Sequence, residues 1–118
     1  MKFNKWSIWR AGLDPVIGSE QGKARPVIII SEDDINELLN IVSIIPITTR
    51  KTGRIIYPNE VLVPAEKFGL KHESIALCHQ IRTIDKRRLT RHLGNISEEE
   101  LQNLVLEAIC FQLGINKE

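Results

Sequence analysis

The sequence predicts a mainly β protein with helices, of the α+β class, built as a small, strongly bent sheet or partial barrel with a C-terminal helix. Several short runs rich in β-branched residues are separated by Gly, Pro, Asn and Asp, as in a sheet of short strands. One stretch near the C-terminus has apolar residues at helical spacing. The 118 residues, 42% of them hydrophobic, suffice for one core but not for two stable ones. We therefore expect a single domain over residues 1–118.

Six strands are predicted from these runs. Residues 6–13 form the first strand, which ends at Asp14-Pro15. Residues 26–31 are apolar on both faces, which is typical of a strand buried on both sides. Residues 41–48 form the third strand and contain Pro46, which has no N–H and indicates an edge or a bulge rather than a central ladder position. The other predicted strands are residues 55–63, broken at Pro58-Asn59, residues 74–84 and residues 89–96.

Two helices are predicted. Asp33 or Asp34 can cap a short helix that runs to Leu39. For the second helix, Ser97 and Glu100 have the spacing of a capping box, and Gly114 marks the C-terminal end. Apolar residues at helical spacing define the face that we expect to pack on the core: Leu101, Leu104, Val105, Ala108 and Ile109.

The sequence also argues against several classes of protein. No apolar run reaches about 18 residues, so we expect no membrane span, and the charged N-terminus is not followed by the apolar segment of a secretory signal. Cys78 and Cys110 are therefore expected to be reduced thiols in a soluble cytoplasmic protein. The histidines and cysteines lack metal-ligand spacing, and there is no phosphate-binding loop, dinucleotide fingerprint or nucleophile elbow. We expect neither a metal nor a cofactor.

Charge is unevenly distributed along the chain. The net charge of +1 says nothing by itself about a nucleic-acid partner. However, basic residues concentrate in residues 50–54 and again in residues 82–91, whereas the chain after Asn95 is acidic. Such a polarised surface can steer a polyanion to one side of the molecule. Basic loops that are simply solvated remain the alternative on this observation.

Arg25 occupies an unusual position, at the entrance to a strand predicted to be buried. Pro26 has a fixed φ and pushes the residue before it into an extended conformation, so Arg25 is held rigidly after a polar, glycine-containing loop. This arrangement can present a guanidinium to a phosphate. Thr48 ends the other buried strand, and the two residues could meet at one rim of a small sheet. The alternatives are a salt-bridged arginine and a threonine chosen only as a β-former.

Several stretches together resemble the MazF/PemK family of toxin endoribonucleases. They occur in the family's order and extend over nearly the whole chain: Ser7-Ile8-Trp9, Leu13-Asp14-Pro15, residues 16–27 (VIGSEQGKARPV), Pro46-Ile47-Thr48, residues 80–86 (QIRTIDK) and Arg88-Leu89. One stretch alone would be weak, but the ordered set is specific.

The resemblance implies an SH3-like small barrel of the MazF/Kid/CcdB type, working as a homodimer. It implies metal-independent cleavage of single-stranded RNA (mRNA), usually at a short motif, to 2′,3′-cyclic phosphate and 5′-hydroxyl ends, which inhibits translation and growth. It also implies a cognate antitoxin that is partly disordered when free and occupies the RNA groove.

The resemblance also implies roles for particular residues. Arg25 matches the family's catalytic arginine and Thr48 its catalytic hydroxyl residue. The loop of residues 16–24, with Glu20 and Gln21, matches a mobile flap beside the substrate, and Gln80 matches a position that contacts RNA in relatives. Further RNA contacts are expected from basic or polar residues near these positions: Thr49, Lys51, Arg54 and Arg82.

The sequence departs from the family pattern at three positions. Some members have an aspartate immediately before the glutamine and an arginine two residues earlier, whereas this chain has His79 and Leu77. A mechanism built on that Asp/Arg pair cannot be carried over, but the Arg25/Thr48 version can. Relatives often have glycine in place of Trp6, so we expect a packing difference at the start of the first strand.

His79 is also the one nearby side chain that titrates close to neutral pH, so we hypothesise that it takes part in acid–base catalysis. Regular strand alternation would point His79 and Gln80 to opposite faces, so both reach one groove only if the strand bulges or ends there. Two other functions remain open: a toxin of the same fold that inhibits gyrase without catalysis, and an RNA-binding dimer that has lost activity.

Overall fold

The computed structural model describes residues 2–14, 17–20 and 23–116. The α+β prediction is confirmed, because the described strands form a mostly antiparallel sheet with a helix at the C-terminal end. The elements, in chain order, are β1 (Ser7–Gly12), β2 (Ala24–Ile29), α1 (Asp33–Leu38), β3 (Ile41–Thr49), β4 (Glu60–Val63), β5 (Ser74–Leu77), β6 (Arg82–Asp85), β7 (Leu89–Asn95) and α2 (Glu99–Leu113), with 3₁₀ turns at Cys78–Gln80 and Lys86–Arg88. None of the helices in these residues is long and apolar enough to cross a membrane.

Strand β3 is the centre of the sheet, whose order is β4-β5-β3-β2-β1-β7 with β6 also paired to β3. One edge of β3 pairs with β2. The other edge pairs with β6 through residues 41–44 and with β5 through residues 47–49. Residues Ile45 and Pro46 lie between these two partners.

Pro46 therefore lies in the middle of a central strand, and the prediction of an edge or bulge there was wrong. The Ile30 amide donates to the Ser43 carbonyl at 2.9 Å. The alternation of antiparallel pairs then makes the opposed residues Val27 and Pro46 a non-hydrogen-bonded pair. The proline nitrogen consequently faces the gap between β5 and β6, where no ladder bond is lost.

Two predicted strands differ from the structure. Residues 74–84 were predicted as one strand, but the turn Cys78–Gln80 divides them into β5 and β6 as the chain passes the gap beside β3. Residues 55–63 yield only Glu60–Val63, because a turn at Pro58-Asn59 precedes the strand.

The alternation of side chains places a hydrophobic cluster on each face of the sheet. One cluster contains Ile8, Ile28 and Ile45 and is covered by α2. The other contains Trp9, Val27 and Ile44. Both faces of β1, β2 and β3 are thus buried over most of their length, which explains why residues 26–31 are apolar without alternation.

Helix α2 confirms the predicted end but not the predicted start. Gly114 has a φ of 68°, and the Ile115 amide donates to the Cys110 carbonyl at 2.8 Å, which closes the last turn. At the other end the helix begins at Glu99 after Glu98, with no side-chain cap, so the predicted capping box does not form. Of the predicted apolar face, Leu101, Val105 and Ala108 are buried, Ile109 is half-buried and Leu104 is exposed.

Trp6 precedes β1 with a φ of 73°, in the left-handed region that glycine adopts at little cost. Its amide donates to Ile29 and its carbonyl accepts from Ile96, so the backbone is fixed on both sides. The indole packs against the cluster under α2. A glycine at this position would adopt the same φ at lower cost.

Candidate functional site

Arg25 and Thr48 meet at one end of the sheet, as expected for residues at the ends of two buried strands that share a rim. The β2–β3 register, with Val27 opposite Pro46, brings Arg25 opposite Thr48. Arg25 Nη1 lies 3.4 Å from Thr48 Oγ1, and both residues are half-buried. The pair therefore presents a fixed cation and a hydroxyl together at the edge of the core.

The loop before Arg25 is anchored at its base. The Leu13 amide donates to the Lys23 carbonyl and the Lys23 amide to Asp14 Oδ1, each at 2.9 Å. Arg88 adds bonds from the far side, to the carbonyls of Gly12 and Asp14. Val16, Gln21 and Gly22, which belong to the predicted flap, lie outside the described residues.

A cleft of about 400 Å³ lies against the turn between β5 and β6, lined by Ser19, Glu20, His79, Gln80, Ile81 and Arg82. This turn spans the Ile45–Pro46 gap of β3, two residues along that strand from Thr48. Strand β5 ends at Leu77, so strand alternation does not point His79 and Gln80 to opposite faces, and both line this cleft. The condition that the strand ends there is therefore met. The flap residue Glu20 faces them, and its carboxylate accepts from the Ile17 amide at 2.7 Å.

His79 is incompletely hydrogen-bonded. Its Nε2 lies 3.5 Å from Gln80 Nε2. Its Nδ1 is buried and has no hydrogen-bond partner among the described residues. A buried imidazole nitrogen without a partner is uncommon in folded proteins, and such groups occur at catalytic sites.

Glu60 is a buried carboxylate on β4, next to the turn that carries His79. It accepts from Arg54 Nη1 at 2.8 Å, from Arg54 Nη2 at 2.6 Å and from the Tyr57 amide at 3.0 Å. The hydrogen bonds from Arg54 chiefly hold the pKa of Glu60 below its ordinary value, and the charge of His79 acts in the same direction. The half-buried Arg54 guanidinium is thus ion-paired to Glu60, and its contact with RNA phosphates stays a prediction.

Cys78, the first residue of the same turn, is an inert thiol. Burial, assisted by the charge of Glu60, raises the pKa of the Cys78 thiol to about 12. The thiolate required for nucleophilic or redox chemistry is therefore not formed at neutral pH.

The remaining predicted RNA contacts are distributed around this end of the sheet. Thr49 is exposed beside Thr48, and Lys51 is exposed with no ion pair to any other described residue. Arg82 lines the cleft and is half-buried. Arg50, from the same basic stretch as Lys51, is instead bound to Glu73 at 3.1 Å and to the Arg54 carbonyl.

Solved structures place this architecture among bacterial toxins. The Mycobacterium tuberculosis toxin MazF-mt6 superposes with a TM-score of 0.77 at 29% identity, covering 94% of this chain and 99% of that one. An endoribonuclease in complex with its cognate antitoxin, from a mycobacterial species, shares the fold with a TM-score of 0.77 at 21% identity, covering 98% of each chain. The fold and the rim pair thus define a small toxin of the MazF class.

The family follows from sequence. The sequence model described as a PemK-like, MazF-like toxin of type II toxin–antitoxin systems matches residues 4–113. Endoribonuclease EndoA of Bacillus subtilis (strain 168) is 34% identical over 115 residues, which is 98% of this chain and 97% of the relative. The chain belongs to the PemK/MazF-like family of type II toxins.

Sequence reasoning missed two features of this end of the molecule. Glu60 could have been found as a lone carboxylate in the otherwise apolar stretch EVLV. Arg10, Lys71 and Arg91 come from three separate elements, and nothing in their spacing along the chain shows that they meet.

Proposed function

We propose that this MazF-like toxin endoribonuclease cuts single-stranded RNA, chiefly mRNA, without a metal ion, leaving 2′,3′-cyclic phosphate and 5′-hydroxyl ends. The observation that carries the proposal is the Arg25–Thr48 contact at the rim beside the cleft of His79 and Gln80. Family membership and the activity named for the Bacillus relative support it. Loss of intact messages in the cytoplasm would then inhibit translation and growth.

The reaction has three requirements. The 2′-hydroxyl loses its proton and its oxygen bonds to phosphorus, the bond from phosphorus to the 5′-oxygen breaks, and that oxygen gains a proton. Arg25 can stabilise the negative charge that develops on the phosphoryl oxygens in the transition state, because a guanidinium can donate two parallel hydrogen bonds to them. Its position after an anchored loop and before Pro26 means that little reorganisation is needed as that charge forms.

Thr48 and His79 divide the remaining work. The threonine hydroxyl is too weakly basic to remove a proton at neutral pH, so it orients the attacking group or the phosphate while accepting from Arg25. His79 supplies an imidazole on the wall of the cleft, where the ring can exchange a proton with the RNA. Gln80 and Arg82 then hold the RNA in the cleft.

Two protein partners are part of the proposal. The first is a cognate antitoxin, the partner that membership of a type II toxin–antitoxin family entails. The second is another copy of this chain. Leu62, Leu104 and Phe111 are exposed by 37%, 45% and 64% in a groove of about 440 Å³ between β4 and α2. Glu60 and Glu107 also line the groove, but its surface is mainly apolar. An exposed, mainly apolar groove of this kind marks an interface, and we assign it to the homodimer.

The proposed reaction is tested by incubating the protein with a long mixed-sequence RNA in excess EDTA and determining the chemistry of both new ends. We expect fragments with 5′-hydroxyl groups and cyclic phosphates. Absence of cleavage, together with inhibition of DNA gyrase supercoiling, would show instead that the protein is a non-catalytic toxin of the same fold. RNA binding without cleavage would indicate an RNA-binding dimer without activity.

A further inference from the structure

A second cleft, of about 350 Å³, lies on the other side of the rim from the Arg25–Thr48 pair. Arg10, Lys71, His72 and Arg91 line it, and Arg25 and Thr49 border it. Arg10 is opposite Pro26, one residue past Arg25, so the side chains of Arg10 and Arg25 leave the sheet on opposite faces. Arg25 stands at the strand end and borders both sides.

The charge of this second cleft is not compensated within the described chain. None of its described lining residues is acidic, and Arg10, Lys71 and Arg91 form no ion pair with another described residue. Glu73, which follows His72, is paired with Arg50 at 3.1 Å. Moreover, Arg10 and Arg91 are directly opposed in the β1–β7 ladder, where like charges lower stability. Such a cost indicates a ligand of opposite charge.

The walls of the cleft are held rigidly. The turn that precedes Lys71 packs backbone to backbone on β7, so closely that a Cβ on Gly94 would lie 2.0 Å from the Phe68 carbonyl oxygen. Lys67, in the same turn, pairs with Glu98 at 2.8 Å. The backbone that leads to Lys71 and His72 is thereby held beside β7, which carries Arg91, so the cleft that these basic residues line is formed before any ligand arrives.

We propose that this second cleft binds backbone phosphates of the same RNA strand, next to the one held at Arg25, and so extends the groove around the rim. This inference rests on the proposed function. RNA is favoured over an acidic peptide because Arg25, which contacts Thr48, also lines the second cleft, so a strand held at Arg25 continues directly to Arg10 and Arg91. Contacts to phosphates supply affinity and register but carry no base preference. The cleft therefore sets how tightly long RNA binds, not where it is cut.

The test is binding of two non-cleavable, fully 2′-O-methyl RNAs, a 20-nucleotide and a 4-nucleotide strand of mixed sequence, measured by fluorescence anisotropy over a range of salt concentrations. In the double variant Arg10→Gln/Arg91→Gln we expect about tenfold weaker binding of the long strand. The slope of log K against log salt should fall by about 1.4, since single strands give about 0.7 per phosphate contact. Binding of the short strand should change little.

Two controls make the result specific. Arg87→Gln removes one exposed arginine elsewhere and should leave the salt slope unchanged. Arg10→Lys/Arg91→Lys keeps both positive charges and should retain most of the parent salt slope. An unchanged slope and affinity in Arg10→Gln/Arg91→Gln would overturn the proposal. So would equal losses for both strands, or weaker binding of a poly-glutamate peptide with RNA binding intact. Since the RNAs cannot be cut, these outcomes are independent of whether the protein proves to be a nuclease.

Discussion

Arg25 and His79 differ in how far their surroundings could be read from the sequence. The position of Arg25 depends on its neighbour Pro26 and on two strands that are buried on both faces, and these are local features of the sequence. The position of His79 depends on a break in the strand at Cys78–Gln80, which exists because β3 changes partners at Pro46. The contact between Arg25 and Thr48 was thus predictable from local sequence, whereas the meeting of His79 and Gln80 in one cleft depended on where the strand ends.

At the residue scale, substitution of His79 tests the proton transfers. In His79→Ala we expect kcat/KM for RNA cleavage to fall about 100-fold, because general acid–base catalysis contributes that much or more. One limb of the pH–rate profile near neutrality should also disappear, since the imidazole is the proton-exchanging group in the proposed reaction.

The matched control is His92→Ala, which removes an exposed imidazole that packs on Trp9 at 5.3 Å and lies outside the cleft. Its pH–rate profile should match that of the parent protein. If His79→Ala keeps the parent profile as well, His79 has no part in the chemistry.

At the scale of elements, the segment between β3 and β4 is held by charged groups rather than by apolar packing. Arg50 binds the Arg54 carbonyl, and Arg54 in turn binds Glu60 at the start of β4. The basic stretch 82–91 is likewise divided by the fold: Arg82 lines the first cleft, Arg87 pairs with Asp85, Arg88 anchors the flap and Arg91 lines the second cleft. Composition alone could not distinguish these roles, because each depends on partners from other elements.

The Arg54–Glu60 pair predicts a pH dependence of stability. Because the pKa of Glu60 is lowered in the folded protein, the ion pair contributes its full stabilisation above about pH 5. That stabilisation is lost as the pH falls below about 4.3, because the carboxyl group of the unfolded chain binds a proton at a higher pH than that of the folded protein. In Glu60→Gln we expect a free energy of unfolding about 1.5–3 kcal/mol lower at pH 7, and a smaller further loss on acidification than in the parent.

Urea unfolding at a series of pH values measures both effects. Asp85→Asn is the comparison, since Asp85 is also an ion-paired carboxylate but its partner Arg87 is largely exposed, so the loss at pH 7 should be small. Parallel acid profiles for the parent and Glu60→Gln would show that the pair does not stabilise the fold.

At the scale of the whole molecule, the sheet gathers functional groups from widely separated parts of the chain. The rim joins Arg25 of β2 to Thr48 of β3, the first cleft adds the turn between β5 and β6, and the second adds β1 and β7. Short strands and a terminal helix could be predicted from composition and periodicity. The second cleft could not, because it results from the register between strands.

The proposed homodimer belongs to the same scale. Leu104 was predicted to pack inside the molecule but is exposed in the groove between β4 and α2, where we place a second copy. We expect Leu104→Glu to shift the protein from dimer to monomer in light scattering coupled to gel filtration, since a charge would be buried in an apolar contact. Asn103→Glu, at an exposed position on the same helix, should remain dimeric. Equal masses for parent and Leu104→Glu would place the interface elsewhere.

The central claim is that Arg25 stabilises the transition state of RNA cleavage, and single-turnover cleavage by Arg25→Ala in EDTA tests it most directly. We expect the rate at saturating protein to fall by about 100- to 1,000-fold, as when one preorganised donor is removed from a developing anion. Arg87→Ala, which removes an exposed arginine outside both clefts, should cut like the parent. A parent-like rate in Arg25→Ala would contradict the account.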